Sequence, residues 1–300
     1  MSNNTQIDPD AATAVQRRRV GEFKWLIGKQ FLNTAFLARL ERPEQLLLPP
    51  AVPLKKAAPG REVVRFQLDD PAITEAVVKR FTPRGLLQNL KCVWRLSPAY
   101  RAFHLARQIT ALGFLTAAPM AAGERRVCGL LRESFLLAQF ISGATPLHLV
   151  NARCADRQRR IRVVRALAKL YATLHDAGFF HHDPSQSNFL VVPQPGGNDA
   201  IALIDLDGLR RQRWKISLTA AVRDLRRFLL RARVPRRERA WFITIYARSR
   251  KARIDAQKLV QMIGPLPPQA TYPHCALNED SSPEENSSSP PLTSSNSTTT

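Results

Sequence analysis

Cysteine is scarce in this chain and scattered. Four residues, Cys92, Cys128, Cys154 and Cys275, lie far apart and form no CxxC pair. That excludes a zinc ribbon or a disulfide framework as the organising element, and it fits a reducing cytosol. Long apolar runs are missing too: none approaches the roughly 20 residues that a spanning helix needs. The N-terminal stretch MSNNTQIDPDAATAVQRRR has no apolar core ahead of its basic triplet, the wrong order for a secretory signal. Acids are in deficit, with 24 Asp and Glu against 45 Lys and Arg, for a net charge of +21. The deficit is uneven. No Lys or Arg follows Lys258, whereas Glu279, Asp280, Glu284 and Glu285 all lie in the tail. The first 264 residues therefore hold all 45 bases and 20 of the 24 acids, a net +25. Such a body is drawn to polyanions: nucleic acid, anionic lipid or a phosphorylated glycan.

What is present is globular in character. The 300 residues are 44% hydrophobic and 23% charged, enough for a sizeable core in one large domain or two lobes. Residues 22–42, EFKWLIGKQFLNTAFLARLER, read as an amphipathic helix, with Phe23, Ile27 and Phe31 at helical spacing and Lys24, Lys29, Arg39 and Arg42 among them. Residues 1–20 before it are polar and read as loose. The helix either packs on the next domain or, in a second reading, lies on a membrane. After LLLPPAVPL the pattern turns to strands, EVVRFQL and EAVVKRF. Residues 97–113 read as a helix ending at Gly113, and 127–141 as two short buried strands or one bent one. The strongest helix is ADRQRRIRVVRALAKLYATLHDAG, where Ile161, Val164, Leu167, Leu170 and Leu174 form a stripe. Asp156 suits its N-cap and Gly178 its C′ position. FLVV, PQPGGND and IALID read as a β-hairpin, and two more helices are expected at 219–232 and 236–250. From Gly264 onward Pro and Ser dominate, a composition that cannot bury enough surface to order itself.

Between these elements sit two segments rich in chemistry. HHDPSQSNFLVV runs from His181 to Val192, and IALIDLDGL from Ile201 to Leu209. Asp183 follows a short apolar strand, Asn188 precedes the next strand, and Asp205 ends the hairpin, so all three belong on one rim. Phosphoryl transfer uses those residue types: a carboxylate that takes the acceptor's proton, and an amide oxygen plus a second carboxylate that hold Mg2+. A lysine from a separate strand, Lys79 in VVKRF, can reach the phosphates. Any one of these residues alone reads as a turn or a solvated strand end. Their joint order, with HxD, Asn five residues on, an apolar run, a hairpin and IDxD, points to a phosphotransferase site.

The same segments resemble the lipopolysaccharide core kinases, the heptose/Kdo kinase family, within the protein-kinase-like fold. LHDAGFFHHDPSQSNFLV is similar to that family's catalytic loop, ALIDLDGLRR to its metal-binding segment and VVKRFTPRGLL to its lysine strand. ARQITALGFLTAAPMAA, LLAQFISGATPL and DLRRFLL resemble further family elements, over roughly residues 60–250. The resemblance implies a bilobal α+β fold, with a small β-rich lobe and a larger, mainly helical one. The boundaries it implies are an N-terminal extension at 1–53, the first lobe at 54–140, the second at 141–264 and a disordered tail at 265–300. It implies Asp183 as catalytic base, Asn188 and Asp205 as Mg2+ ligands and Lys79 as the contact to ATP. Asp207 would assist the metal or anchor a basic neighbour such as Arg210, and His181 would steady the loop. His182 stands where many protein kinases carry Arg, which implies constitutive activity on a small substrate.

Two features depart from the kinase pattern. No GxGxxG precedes Lys79, and residues 97–110 hold no Asp or Glu to pair with it, so Glu75 is the candidate substitute. The expected activity is ATP- and Mg2+-dependent phosphorylation of a heptose or Kdo hydroxyl of the lipopolysaccharide inner core. The partners expected are the core glycan and the anionic cytoplasmic face of the inner membrane, held peripherally, with no nucleic acid. An antibiotic-type small-molecule phosphotransferase and a degenerate kinase-like scaffold are the alternatives.

Overall fold

The computed structural model describes residues 14–266 apart from 55–58, 69, 71–72, 84, 86–92, 94, 154–155, 183, 213–215, 232–235 and 253, and it gives no side-chain environment for 151–153, 236 and 237. Described strands alternate early with short helices: β1 (Val15–Val20), β2 (Phe23–Gly28), α1 (Thr34–Glu41), β3 (Val52–Pro53), β4 (Arg61–Gln67) and β5 (Glu75–Phe81). Then come α2 (Pro98–Ala111), β6 (Pro119–Val127), β7 (Leu130–Gln139), β8 (Thr145–Pro146), α3 (Leu147–Arg153) and α4 (Arg157–Asp176). The chain continues through β9 (Phe179–His181), β10 (Phe189–Pro193), β11 (Asp199–Leu203) and β12 (Leu209–Arg211). It closes with α5 (Leu218–Arg231), α6 (Arg236–Ser249) and α7 (Ala256–Ile263). Residues up to Leu266 belong to one unit. The tail expected to be disordered lies outside the described residues.

The first half builds a seven-stranded sheet in the order β1-β2-β6-β7-β5-β4-β3, antiparallel at every pairing. The second half is mainly helical, with the β10–β11 hairpin and the β9–β12 pair set among the helices. This is the mixed architecture expected from sequence, sheet first and helices after. Both strands around Lys79, the hairpin, the helix at 98–111 and the long helix α4 form where periodicity places them. Asp156 caps α4, its side chain accepting from the Gln158 N–H at 2.8 Å, and Gly178 follows with φ +85°.

The single helix expected over 22–42 does not form. Residues 23–28 are a strand, and a helix starts only at Thr34, where Asn33 accepts from the Phe36 N–H at 2.7 Å. The physical reason lies in the spacing. Phe23, Ile27 and Phe31 are four apart, an interval that fits both a helix turn and two strand alternations. Phe23, Trp25 and Ile27 face one core, with Phe135 and Leu137, while Leu26 faces the other, with Phe81, Ala99 and Phe103. Apolar side chains on both faces suit a strand buried between two layers, not an amphipathic helix. Residues 15–20, expected to be loose, form the edge strand β1, whose consecutive Arg17, Arg18 and Arg19 are exposed. Charged side chains along an edge discourage pairing with another chain. The sheet therefore includes residues placed before position 54 by sequence.

The helical half packs around a cluster of rings. Tyr171 of α4, Phe189 of β10, Phe228 of α5 and Phe242 of α6 are all buried, with centroids of Tyr171 and Phe228 at 4.3 Å and of Phe228 and Phe242 at 5.1 Å. This cluster fixes β10, and β10 carries Asn188 at its entrance.

In the sheet, Gly123 faces the Trp25 ring across the β2–β6 pair, and a Cβ at position 123 would lie 2.6 Å from ring carbons. Overpacking of that kind costs about 1–3 kcal/mol. Gly123→Ala is expected to lower the unfolding free energy by that amount, read as a lower urea midpoint at unchanged slope, whereas a loss under about 0.5 kcal/mol would show that the ring moves freely.

Candidate active site

Lys79 lies in the middle of β5, between neighbours β4 and β7, and its side chain is only 11% exposed. Its ammonium meets two carboxylates from the other half of the chain: Asp205 Oδ1 at 2.6 Å and Asp207 Oδ2 at 3.0 Å. Asp207 Oδ2 also accepts from Arg61 Nη2 at 2.6 Å. Arg61 directly follows Gly60 at the start of β4, so a cation stands beside the loop that lacks a glycine-rich motif.

The backbone around Asp205 is held from three sides. Asp205 adopts a left-handed conformation, φ +59° and ψ +62°, which Asp tolerates better than most residues. The preceding Leu203 donates its N–H to the Leu115 carbonyl at 2.9 Å, and its carbonyl accepts from Thr116 Oγ1 at 2.7 Å. Ile204 donates its N–H to the Asn188 carbonyl at 2.9 Å. That last bond ties the two polar positions together, with Asn188 buried in a single 3-10 turn, Gln186–Asn188. Thr116 belongs to the GFLTAAP element singled out in the sequence, and its role is now visible: it clamps the strand end that presents Asp205.

Below the loop runs a buried polar relay. Asp224, in the middle of α5, accepts the His181 N–H on Oδ2 at 2.8 Å and meets His175 Nε2 at 3.1 Å on the same oxygen. His175 Nδ1 lies 2.7 Å from the Tyr246 hydroxyl, which accepts from Arg250 Nη1 at 2.5 Å. Arg250 Nε in turn donates to Asp176 Oδ1 at 2.7 Å. One tautomer satisfies the chain: neutral His175 donates from Nε2 to Asp224 and accepts at Nδ1 from Tyr246. Burial holds His175 below its ordinary value of 6.5, outweighing the opposing pull of Asp224, and pushes the Tyr246 hydroxyl up to about 12.

Of the residues picked from sequence, Lys79, Asp205 and Asp207 meet directly, and Asn188 joins them through the Ile204 bond. Asp183 lies outside the described residues. It follows His182, whose N–H is bonded to the Gly208 carbonyl at 2.8 Å, so the loop backbone on that side abuts the IDLDG turn. His181 is buried and donates its backbone N–H to Asp224. Glu75 is a correction. It does not reach Lys79; its carboxylate meets Arg65 Nη1 at 3.4 Å and Ser142 Oγ at 3.3 Å. Residues four apart along a strand share a face but stand more than ~10 Å apart. Asp207 instead takes a place against Lys79. The expected partner Arg210 bonds the Asp207 carbonyl at 2.6 Å, not its carboxylate. Asp224, His175 and Tyr246 were not picked. The signal for Asp224 was an acid within the apolar stripe Ala221, Val222, Leu225 and Phe228.

Residues 89–246, just over half of the chain, match the model of the Lipopolysaccharide kinase (Kdo/WaaP) family. The chain belongs to that family. It is 29% identical over 188 residues to the lipopolysaccharide core heptose(I) kinase WaaP of Escherichia coli (strain K12), an alignment over 60% of this chain and 63% of that protein. The chain thus spans somewhat under two thirds of the relative's length. The fold is similar to that of WaaP solved in complex with acyl carrier protein, with TM-score 0.52 and 18% identity, covering 73% of this chain and 85% of that one. The kinase fold expected from sequence is therefore shown. The family match spans Thr116, Asn188, Asp205, Asp207 and Asp224, and leaves Lys79 and Arg61 outside it.

Because folded His175 is held neutral, the unfolded chain binds its proton first as pH falls through about 6.5, and stability drops with it. The wild-type urea midpoint is expected to fall as pH drops below ~6.5. His175→Gln, which keeps one donor and one acceptor but cannot titrate, should flatten that slope; an unchanged slope would rule His175 out as its source.

Proposed function

We propose that this chain is an ATP- and Mg2+-dependent kinase that phosphorylates a sugar hydroxyl, heptose or Kdo, of the lipopolysaccharide inner core. The observation that carries the reading is the meeting of Lys79, Asp205 and Asp207 beside Asn188 in a member of the Lipopolysaccharide kinase (Kdo/WaaP) family. Membership supports the reaction class, and the charge pattern supports an anionic acceptor.

The donor set fits a hard cation. Asn188 offers an amide oxygen and Asp205 a carboxylate, the ligand types that Mg2+ takes. Among the described residues no group of three or more His, Cys, Asp or Glu side chains gathers into a metal site; Asn188 and Asp205 are the residues that would hold the ion. When bound, Mg2+ would be held by Asn188 and Asp205 and would offset charge developing on the phosphates. The chain's own part is positional. Lys79 would contact the nucleotide's phosphates, and Asp205 and Asp207 both set a carboxylate against its ammonium. Asp183 orients the acceptor hydroxyl and accepts its proton. Asp224 holds the backbone of that loop from beneath, through the His181 N–H.

Among the described residues no helix is long and apolar enough to cross a membrane. A chain with net charge +21 is attracted to an anionic bilayer surface, so we place its work at the cytoplasmic face of the inner membrane, held peripherally.

The test is transfer from labelled ATP with Mg2+ to de-acylated core oligosaccharide. Asp183→Ala and Lys79→Met should each lower the rate by at least about a hundredfold, the scale of losing a catalytic base or a phosphate clamp. Glu75→Gln should stay within about threefold, since a surface pair with Arg65 contributes little. Undiminished transfer by Asp183→Ala would remove that residue as base. Absence of transfer by the wild type to any core acceptor would overturn the reading.

A further inference from the structure

A cavity of about 530 Å3 opens beside the Lys79 site, between the start of β4, the end of β5, the first turns of α2 and the IDLDG turn. Arg61, Arg101 and Arg210 line it, with Thr82, Leu105 and Asp207. Asp207 is the carboxylate among the described lining residues, and it is already engaged by Lys79 and Arg61. The other two cations have no such partner. Arg101, in the first turn of α2, makes no ion pair among the described residues. Arg210 is held in place by two backbone carbonyls, Asp207 at 2.6 Å and Leu209 at 3.0 Å, which orient its guanidinium without cancelling its charge.

Resting on the reading above, we propose that this cavity seats an anionic substituent of the acceptor, a carboxylate or phosphomonoester carried next to the hydroxyl that is phosphorylated. Three observations converge. The volume suits a sugar-sized group and exceeds what a lone ion needs. Two arginines with no carboxylate partner among the described residues converge on one space whose apolar wall, Leu105, strengthens any charge pairing made there. Planar guanidinium groups bind carboxylate and phosphate oxygens in pairs. The N-terminal turn of the 14-residue helix α2 adds positive potential on the same side. Asp207 forms the shared wall, with Lys79 on its carboxylate and the cavity beyond. An anion in the cavity is thus seated one residue away from the cation that contacts the nucleotide. Arg101 and Arg210 recognise the acceptor, and Lys79 the donor.

The experiment compares wild type with the Arg101→Gln/Arg210→Gln double variant; both side chains are exposed, and thermal melting checks that the variant folds. In the transfer assay, amidating the carboxylates of the oligosaccharide should raise the wild-type KM for acceptor about tenfold, the scale of a lost charged hydrogen bond. The double variant should show the raised KM with both acceptors and no discrimination between them. A raised KM for ATP with acceptor discrimination intact would overturn the proposal, because the arginines would then serve the nucleotide. A second arm needs no turnover: titration at low salt with glucuronate and glucose 6-phosphate, against glucose as the neutral control. Saturable binding of both anions by wild type, absent in the variant, is expected. Equal binding by wild type and variant would overturn the cavity assignment even where core transfer is intact. Anion binding confined to the wild type, with no transfer to core, would leave the cavity standing and remove the acceptor named above.

Discussion

The arrangement hinges on one ionic contact, Lys79 against Asp205 and Asp207, made by residues more than 120 positions apart. It joins the sheet half to the helical half at the point where chemistry is expected. Three charged side chains, each 11–20% exposed, are costly to desolvate and hold together only because opposite charges and hydrogen bonds offset that cost. Such a contact is weak evidence for stability and stronger evidence for function. A lysine between two apolar strands with no acid on α2 would be a buried unpaired charge. Asp207 removes that problem locally, without help from a mobile helix.

Everything else around the contact restrains Asp205 and the loop before it. Thr116 and Leu115 fix the strand end from the sheet side. Asn188 fixes it from the neighbouring turn. Asp224 fixes the loop from beneath, and its own position depends on His175, Tyr246 and Arg250. These are short bonds among buried groups, where a missing partner costs the full desolvation of the one left behind. The relay ends at Asp176, whose second oxygen accepts the Lys251 N–H at 2.9 Å. A carboxylate at the end of α4 is thus linked to the catalytic loop through side chains of α4, α5 and α6. Pre-organisation of that kind fits a reaction in which positioning and charge stabilisation do most of the work.

The sequence made the local elements readable and left the long-range pairings obscure. Strands β4 and β5, the hairpin, and the cap of α4 follow from alternation, turn residues and capping chemistry that act within a few positions. Asn188 and Asp205 were legible because one opens and the other closes the same apolar hairpin. Glu75 was misleading for the opposite reason: closeness along a strand was read as closeness in space. Asp207 was the true neighbour of Lys79, and only the topology that brings the IDLDG turn against β5 reveals it. The helix expected over 22–42 failed because a spacing of four cannot separate a helix from a strand; burial of Leu26 on the face opposite Trp25 decides it. Asp224 left a trace, an acid on an apolar stripe, but a trace that names no partner.

Net charge is where sequence and structure divide most usefully. A surplus of bases says only that polyanions are attracted. The structure sorts the arginines into two kinds. Arg80 and Arg125 converge on buried Glu133, Arg159 meets Asp199, and Arg250 meets Asp176; these are consumed by the fold. The arginine-rich stretch of α4, which from sequence alone could track a nucleic-acid backbone, loses Arg159 and Arg160 to such pairs. Arg101 and Arg210 are of the other kind, charged, exposed and aimed at a cavity beside the Lys79 site. General charge draws the chain toward an anionic surface and is screened within about 8 Å at physiological salt. A guanidinium in direct contact with an anion is screened far less than one acting across solvent. In the proposal made above, choice of acceptor falls to those arginines that the fold has not already neutralised.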